Sequence, residues 1–324
     1  MILEKSKKLI IQIPCFNEEA TLAETLRDLP RDVPGVDKVE WLIIDDGSTD
    51  KTVEVAKRCG VDHIVRLPQN RGLARAFSVG LEECLRRGAD IIVNTDADNQ
   101  YVAGDIPKLI APIIAGTADI VIGERPIMQI GDFSVIKKML QRWGSWAVRL
   151  ASRTRVPDAP SGFRAFSRAA AMRINVFSGY TYTLETIIQA GQKGMFVESV
   201  PIHTNPKTRD SRLVKSIPGY LWRSISTIPR IFMTYRPFRF FFFPGLAFFL
   251  VGFGLGLRFT IYFILGHGGG KVQSLILAAV LMLIGFFLCV TGFLADLISV
   301  NRKLLEETNR RLWLLEDKID QNKQ

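Results

Sequence analysis

Asp90-Ile91-Ile92-Val93-Asn94-Thr95-Asp96-Ala97-Asp98-Asn99-Gln100 places a short apolar run directly before a turn that carries two carboxylates. An apolar run of this length, bounded by turn residues, reads as a buried strand. The same design recurs upstream. Residues 39–44, apolar apart from Glu40, end in Asp45-Asp46-Gly47-Ser48, and residues 9–13 end at Pro14. Residues 63–67 and 120–122 are two further strand-length runs. Between them lie segments with helical spacing. Residues 18–29 carry Ala20, Leu22, Leu26 and Leu29, and residues 50–58 start at a cap supplied by Thr49 or Asp50. Residues 73–87 and 106–115 complete the helices. Alternating strands and helices predict an α/β fold, a mostly parallel sheet with helices on both faces. Ligands of such sheets sit beyond the carboxyl ends of the strands. Pro14, residues 45–48 and residues 96–100 all fall there.

The remaining third of the chain has a different character. Of the 324 residues 48% are hydrophobic, and that excess gathers after Arg239. Residues 240–265, interrupted by Arg258, and residues 275–298 are each long enough to cross a bilayer as a helix. Arg230, Arg236 and Arg239 precede the first span, Arg302 and Lys303 follow the second, and the loop between holds only Lys271. Positive residues stay on the cytoplasmic side, so both termini and the N-terminal domain are expected there. Arg258 is expected to snorkel outward, or to pair with Asp296 or a lipid phosphate. The expected organisation is a cytosolic domain over 1–213, interfacial amphipathic helices over 214–239, two transmembrane helices within 240–300, and a cytosolic C-terminal helix over 301–324. That last helix is compatible with a homo-oligomer, although too short to specify a coiled coil. Residues 1–8 are too charged for a signal peptide. The four cysteines lack CxxC spacing, which argues against a zinc site or a disulfide framework. A net charge of +10 points to a polyanionic partner: anionic lipid, nucleic acid or a phosphorylated substrate.

The carboxylates narrow that choice. Asp96 and Asp98 cannot hold a diphosphate directly, because like charges repel. A divalent cation with oxygen ligands from both sides can join them, with Gln100 adding a carbonyl oxygen. Such an ion also neutralises charge on a departing diphosphate. An acidic turn with solvated carboxylates is the bland alternative for this triplet. The turn 45–50 can cap the following helix, accept hydrogen bonds from a base or ribose, or do both.

Taken together, Ile13-Pro14-Cys15-Phe16-Asn17-Glu18, the turn 45–50, Gly72-Leu73-Ala74-Arg75-Ala76, Asp96-Ala97-Asp98-Asn99-Gln100 and Ser161-Gly162-Phe163-Arg164 stand in the order of family 2 glycosyltransferases. The chain resembles the dolichyl-phosphate mannose synthase branch and its bacterial polyprenyl-phosphate relatives. The resemblance covers about the first two-thirds of the chain. It implies a GT-A (Rossmann-like) fold, Mg2+ or Mn2+, a nucleotide-sugar donor, a polyprenyl phosphate acceptor, and inversion at the anomeric carbon. Carried over by motif, Pro14, Cys15, Phe16, Glu18, Asp45, Asp46 and Ala97 line the nucleotide, and Asp96, Asp98 and Gln100 handle metal and diphosphate. Arg209, in the basic stretch 207–212, matches a loop that closes over the donor. Arg125 stands where that family has a phosphate-contacting Arg. Lys137, Gln141 and Arg142 fall in its acceptor-phosphate segment. There the chain departs from the pattern, because Lys137 and Gln141 replace an Arg and a Ser.

An acceptor hydroxyl would need a general base. The corresponding stretch, Tyr182-Thr183-Leu184-Glu185-Thr186, offers one Glu without a partner Asp. A phosphate monoester is already ionised at neutral pH and needs cations to place it rather than a base. A processive polysaccharide synthase is the nearest rival, but Gln141-Arg142-Trp143 misplaces the Gln of its Q-x-x-R-W motif. A non-catalytic membrane scaffold retaining the fold is the other, against which Asp96, Asp98 and Gln100 argue. No G-x-G-x-x-G follows the first strand, and Gly268-Gly269-Gly270-Lys271 lacks the Ser or Thr of a phosphate loop. The basic residues lie towards the membrane side without a base-stacking motif, so no nucleic-acid partner is expected.

Overall fold

In the computed structural model the described residues are 6–126, 152, 154, 156–176, 182–206, 233, 236–266 and 272–321. The chain divides into two compact units, residues 1–224 with 310–324, and residues 225–309.

The first unit is built on a sheet of seven strands in the order β3-β2-β1-β4-β6-β5-β7. These are β1 (Lys8–Cys15), β2 (Lys38–Asp45), β3 (His63–Arg66), β4 (Ile91–Asn94), β5 (Ile120–Glu124), β6 (Arg164–Ser167) and β7 (Val197–Pro201). The pairs β1·β2, β2·β3, β1·β4 and β5·β7 are parallel, and β6 runs antiparallel to both β4 and β5. The helices are α1 (Leu22–Asp28), α2 (Thr52–Arg58), α3 (Leu73–Arg86), α4 (Ile106–Ile114), α5 (Arg168–Ala171) and α6 (Thr183–Gln192). From Leu9 to Cys15 β1 is buried throughout, as a central strand covered on both faces must be. The stripe Ala74, Phe77, Leu81, Cys84 and Leu85 turns α3 onto this sheet. At Gly80 a Cβ would overlap the side chains of Gln12 and Ile44, so glycine lets α3 lie closer to the sheet than another residue would.

The expected α/β class is therefore present, with two strands that pattern reading does not reveal. The polar ends of β6, with Arg164 in a fully buried position, hide a strand behind an atypical composition. In β7 the alternation is broken by Pro201 and half-exposed residues.

The second unit contains α7 (Pro237–Ile264) and the start of α8 (Val272–Gln321). Their apolar stretches have mean hydropathies of 2.1 and 2.7, and only 11% and 17% of the most apolar windows is buried. A soluble core helix hides its apolar side chains. These leave them outward, which requires hydrocarbon around them, and the chain is a membrane protein. Small residues bring the helices together. A Cβ on Gly285 would stand 2.5 Å from the backbone nitrogen of Phe249, and one on Gly252 2.8 Å from the carbonyl of Ala278. Backbone-to-backbone approach of this kind is how helices gain contact in lipid. The guanidinium of Arg258 lies 5.6 Å from the ring centre of Tyr262, one turn on. α8 is one helix of 50 residues that covers both the second apolar stretch and the charged residues after it. Ile298-Ser299-Val300-Asn301-Arg302 contains neither Pro nor Gly, so nothing in the backbone ends the helix where the polarity changes. Of the expected interfacial segment, only Met233 and residues 236–239 are among the described residues.

Candidate active site

Three strand ends build the site. Sheet register sets Cys15 beside Asp45 and Asp45 beside Arg66, while Gln12 stands beside Asn94 and Asn94 beside Arg164.

Beyond β1 the chain is stapled to the turn beyond β2. The backbone N–H of Asn17, a residue at φ 55, donates to Ser48 Oγ at 2.9 Å, and Asn17 Oδ1 accepts from the N–H of Thr49 at 2.8 Å. The N–H of Glu18 donates to Thr52 Oγ1 at 2.8 Å. The acidic turn is largely committed to its own architecture. Asp46 accepts from the N–H groups of Arg71 and Gly72, both at 2.8 Å, fixing the loop that starts α3. Oδ1 of Asp45 accepts from Ser48 N–H at 3.0 Å. Its Oδ2 stands 3.2 Å from Arg66 Nε, yet lacks an aligned hydrogen bond. Asp50 Oδ1 accepts from the N–H of Thr52 at 3.0 Å, but the N-cap position of α2 is Lys51, not the expected Thr49 or Asp50. The Cys15 thiol is buried and donates to the carbonyl of Ile13 at 3.4 Å, so its side chain faces inward, while Phe16 is at the rim, 37% exposed. A groove of about 420 Å3 opens beside this turn, lined by Gly47, Ser48, Thr49, Arg66, Leu67 and Pro68. It does not include Asp96 or Asp98.

The second carboxylate turn follows β4, and α1 holds it. The carbonyl of Ala97 faces the hydroxyls of Thr21 at 2.9 Å and Thr25 at 3.0 Å. Asn99, at φ 53, donates through Nδ2 to Asp28 Oδ2 at 2.9 Å. Asp98 Oδ1 accepts the N–H of Gln100 at 3.2 Å. Asp96 lies against Gly162, where a Cβ would come within 3.0 Å of its Oδ2 and of the Tyr182 hydroxyl. Burial, then the charge of Asp98, push the Asp96 carboxyl up to about 7; Arg125 and a hydrogen bond from Tyr101 work the other way.

Cationic residues flank this pair. Arg125 makes a two-pronged bond to the fully buried Asp158, Nε to Oδ2 at 2.7 Å and Nη2 to Oδ1 at 3.0 Å. Burial works against the charge on Arg125, but Tyr101, Asp158 and Asp96 outweigh it and raise its pKa. Arg164 is buried completely, and its described partners are the carbonyls of Ala159, Ser161 and Thr183 and the hydroxyl of Thr186. Burial lowers its pKa to about 10. It ties the Gly162 wall to the start of α6. Behind it Asn94 accepts from Gln12 Nε2 at 2.9 Å and faces the carbonyl of Gly162 at 2.9 Å and the hydroxyl of Tyr182 at 3.0 Å. Phe77 stacks on Tyr182 at 3.9 Å.

The structure thus brings Glu18, Asp96, Asp98 and Arg125 into one electrostatic neighbourhood. Lys137, Gln141, Arg142 and Arg209 lie outside the described residues. Glu185 is in the first turn of α6, buried. Asp158, Tyr101 and Thr21 carry no local signal in the sequence, because each acts on a partner at least 33 residues away.

Residues 10–175 match the family described as Glycosyl transferase family 2. The chain belongs to that family. This glycosyltransferase is 29% identical over 222 residues to the UDP-N-acetylglucosamine–dolichyl-phosphate N-acetylglucosaminyltransferase of Methanococcus voltae, covering 61% of this chain and 86% of that one. It is 29% identical over 205 residues to the undecaprenyl-phosphate mannosyltransferase of Micrococcus luteus, covering 60% and 82%. The fold matches the glucosyl-3-phosphoglycerate synthase of Mycobacterium tuberculosis in complex with Mn2+, uridine-diphosphate and phosphoglyceric acid, at a TM-score of 0.54 and 20% identity over 70% of this chain and 78% of that one.

The residues of this glycosyltransferase fit a divalent cation. Two neighbouring carboxylates, one with its pKa driven up by burial and then by the charge of the other, are relieved by a cation between them. Among the described residues no third His, Cys, Asp or Glu completes a metal cage. Carboxylates are oxygen donors, the ligand type that suits Mg2+ or Mn2+.

Proposed function

We propose that this glycosyltransferase moves a hexose from a nucleotide-sugar, of the GDP-mannose or UDP-glucose class, to a polyprenyl phosphate with inversion. The observation that carries the reading is the Asp96–Asp98 pair beside the forked Arg125, in a chain that also carries two exposed apolar helices. A lipid acceptor explains why one chain combines both features. The two relatives named for dolichyl-phosphate and undecaprenyl-phosphate support it.

In this reading Asp96, Asp98 and Gln100 hold Mg2+ or Mn2+, which when bound neutralises the leaving diphosphate. Pro14 and Cys15, through their backbone, with Phe16, Glu18 and Ala97, border the nucleotide, and Arg209 contributes from the basic stretch that follows β7. Asp45 serves the base or ribose through its Oδ2, which Arg66, 3.2 Å away, must yield to the ligand. Asp46 acts one step back, by shaping the loop at Arg71 and Gly72. Arg125, with Lys137, Gln141 and Arg142, places the acceptor phosphate. That phosphate is largely dianionic at neutral pH, so it attacks the sugar carbon without a protein base, and holding it in line is the protein's main task. The loop charges support a catalytic domain and both termini on the cytoplasmic side, where nucleotide-sugars reside.

The test is incubation of membranes holding the protein with labelled nucleotide-sugars, polyprenyl phosphate and Mg2+ or Mn2+, followed by lipid extraction. Label in an acid-labile lipid fraction, dependent on both the cation and the phosphate, is expected. Label in polymer, or none with any donor, would sink the proposal.

A further inference from the structure

We propose that Asn205 is a positioning residue that sets the orientation of the Asp98 carboxylate; the inference rests on the metal-holding role of Asp98 above. After β7 the chain doubles back along residues 99–105. The N–H of Val102 donates to the carbonyl of His203 at 3.3 Å, and Tyr101 and Thr204 form an antiparallel bridge. His203 is tied to Asp105 by its N–H and its ring. Asn205 ends this strap with two bonds to successive carbonyls. Its N–H donates to Gln100 at 2.9 Å, and its side-chain Nδ2 donates to Asn99 at 2.9 Å.

The second bond has a mechanical consequence. The carbonyl of Asn99 and the N–H of Gln100 belong to one peptide plane, which turns as a rigid unit. Asn205 pins the oxygen edge of that plane. The opposite edge donates to Asp98 Oδ1 at 3.2 Å. Asn99 sits at φ 53, a backbone region that a non-glycine residue occupies at a cost, so its plane has reason to turn when released. Loss of the Asn205 amide frees the plane, and the bond that orients Asp98 goes with it. The carbonyl of Ala97 is held independently of this route, by the hydroxyls of Thr21 and Thr25.

The test is Mn2+ binding by the detergent-solubilised full chain, read as free Mn2+ by electron paramagnetic resonance, with UDP present in one series and GDP in another. Asn205→Ala is expected to weaken Mn2+ by about five-fold or more. Apparent Mn2+ demand in transfer should rise likewise, with kcat at saturating Mn2+ within about two-fold of wild type. Asn205→Leu, which keeps side-chain bulk without the donor, should behave the same and covers any loosening caused by alanine. His203→Ala removes a side-chain contact of the same strap without touching the peptide plane, and should leave Mn2+ affinity unchanged. Equal weakening by His203→Ala, or unchanged affinity in both Asn205 variants, would overturn the assignment. Wild-type protein that binds Mn2+ but transfers no sugar to lipid would refute the proposed reaction alone; absence of Mn2+ binding would refute both.

Discussion

The Arg125–Asp158 fork is a place where charge, burial and geometry all give a magnitude. Asp158 is fully buried and the Arg125 side chain is 10% exposed, with bonds of 2.7 and 3.0 Å. Removing one partner of a buried pair strands the other charge and costs about 3–5 kcal/mol. Arg125→Ala leaves a carboxylate with no solvent access, so it should cost about 4 kcal/mol. Asp158→Ala leaves a cation that can partly reach water and lies in the field of Asp96, so it should cost less, about 3 kcal/mol. At roughly 2–4 °C per kcal/mol for a domain of this size, the larger loss corresponds to about 8–16 °C in melting temperature. The double variant strands neither charge. It should therefore be more stable than the sum of the singles by about 2 kcal/mol or more. Melting of the purified protein in detergent, followed by circular dichroism, reads all four corners of the cycle. Additivity within about 0.5 kcal/mol would show that the two side chains do not act as a pair.

Other consequences concern the carboxylate turn. Asp98→Ala should abolish metal-dependent transfer and leave melting within a few degrees of wild type; near-normal turnover would remove Asp98 from the site. Asp96, whose pKa is raised to about 7 when folded, holds its proton more tightly folded than unfolded. Its contribution to metal-free stability is fully present below pH 4 and is lost as pH rises through about 7. Asp96→Asn should thus be more stable than wild type at pH 8 in chelator, by up to about 4 kcal/mol, with no gain at pH 4. Equal stabilities at pH 8 would contradict this. Gly162→Ala adds a methyl within 3.0 Å of Asp96 Oδ2 and should raise the Mn2+ demand of transfer several-fold, seen in initial rates against Mn2+ concentration. An unchanged Mn2+ profile would mean that Asp96 yields without consequence.

Local pattern carried much of this protein. Buried strands at residues 9–13, 39–44 and 90–94 announce themselves as mostly apolar runs, because a strand covered on both faces has little polar side to show. The carboxylates at their ends follow from strand termination alone. The apolar length of α7 and of the first part of α8 is a property of composition, and a bilayer reads composition. Arg164 illustrates where pattern stops. A charged residue at a fully buried strand position runs against any hydrophobicity rule, and only four oxygen acceptors drawn from residues 159–186 make it tolerable. The continuation of α8 beyond the apolar stretch likewise depends on backbone rather than polarity.

From the chain alone came the alternation of elements, the acidic turns and the membrane-length segments, since each is written in consecutive residues and needs no distant partner. Tertiary structure decided which polar side chains are committed to distant partners. It turned Asp46 onto the Arg71–Gly72 loop, set Asp158 against Arg125 across 33 positions, and laid Asn205 over a peptide plane 106 positions back. Hydrogen bonds and buried charges depend on distances of about 3 Å, which the order of residues does not specify until the sheet has brought them together.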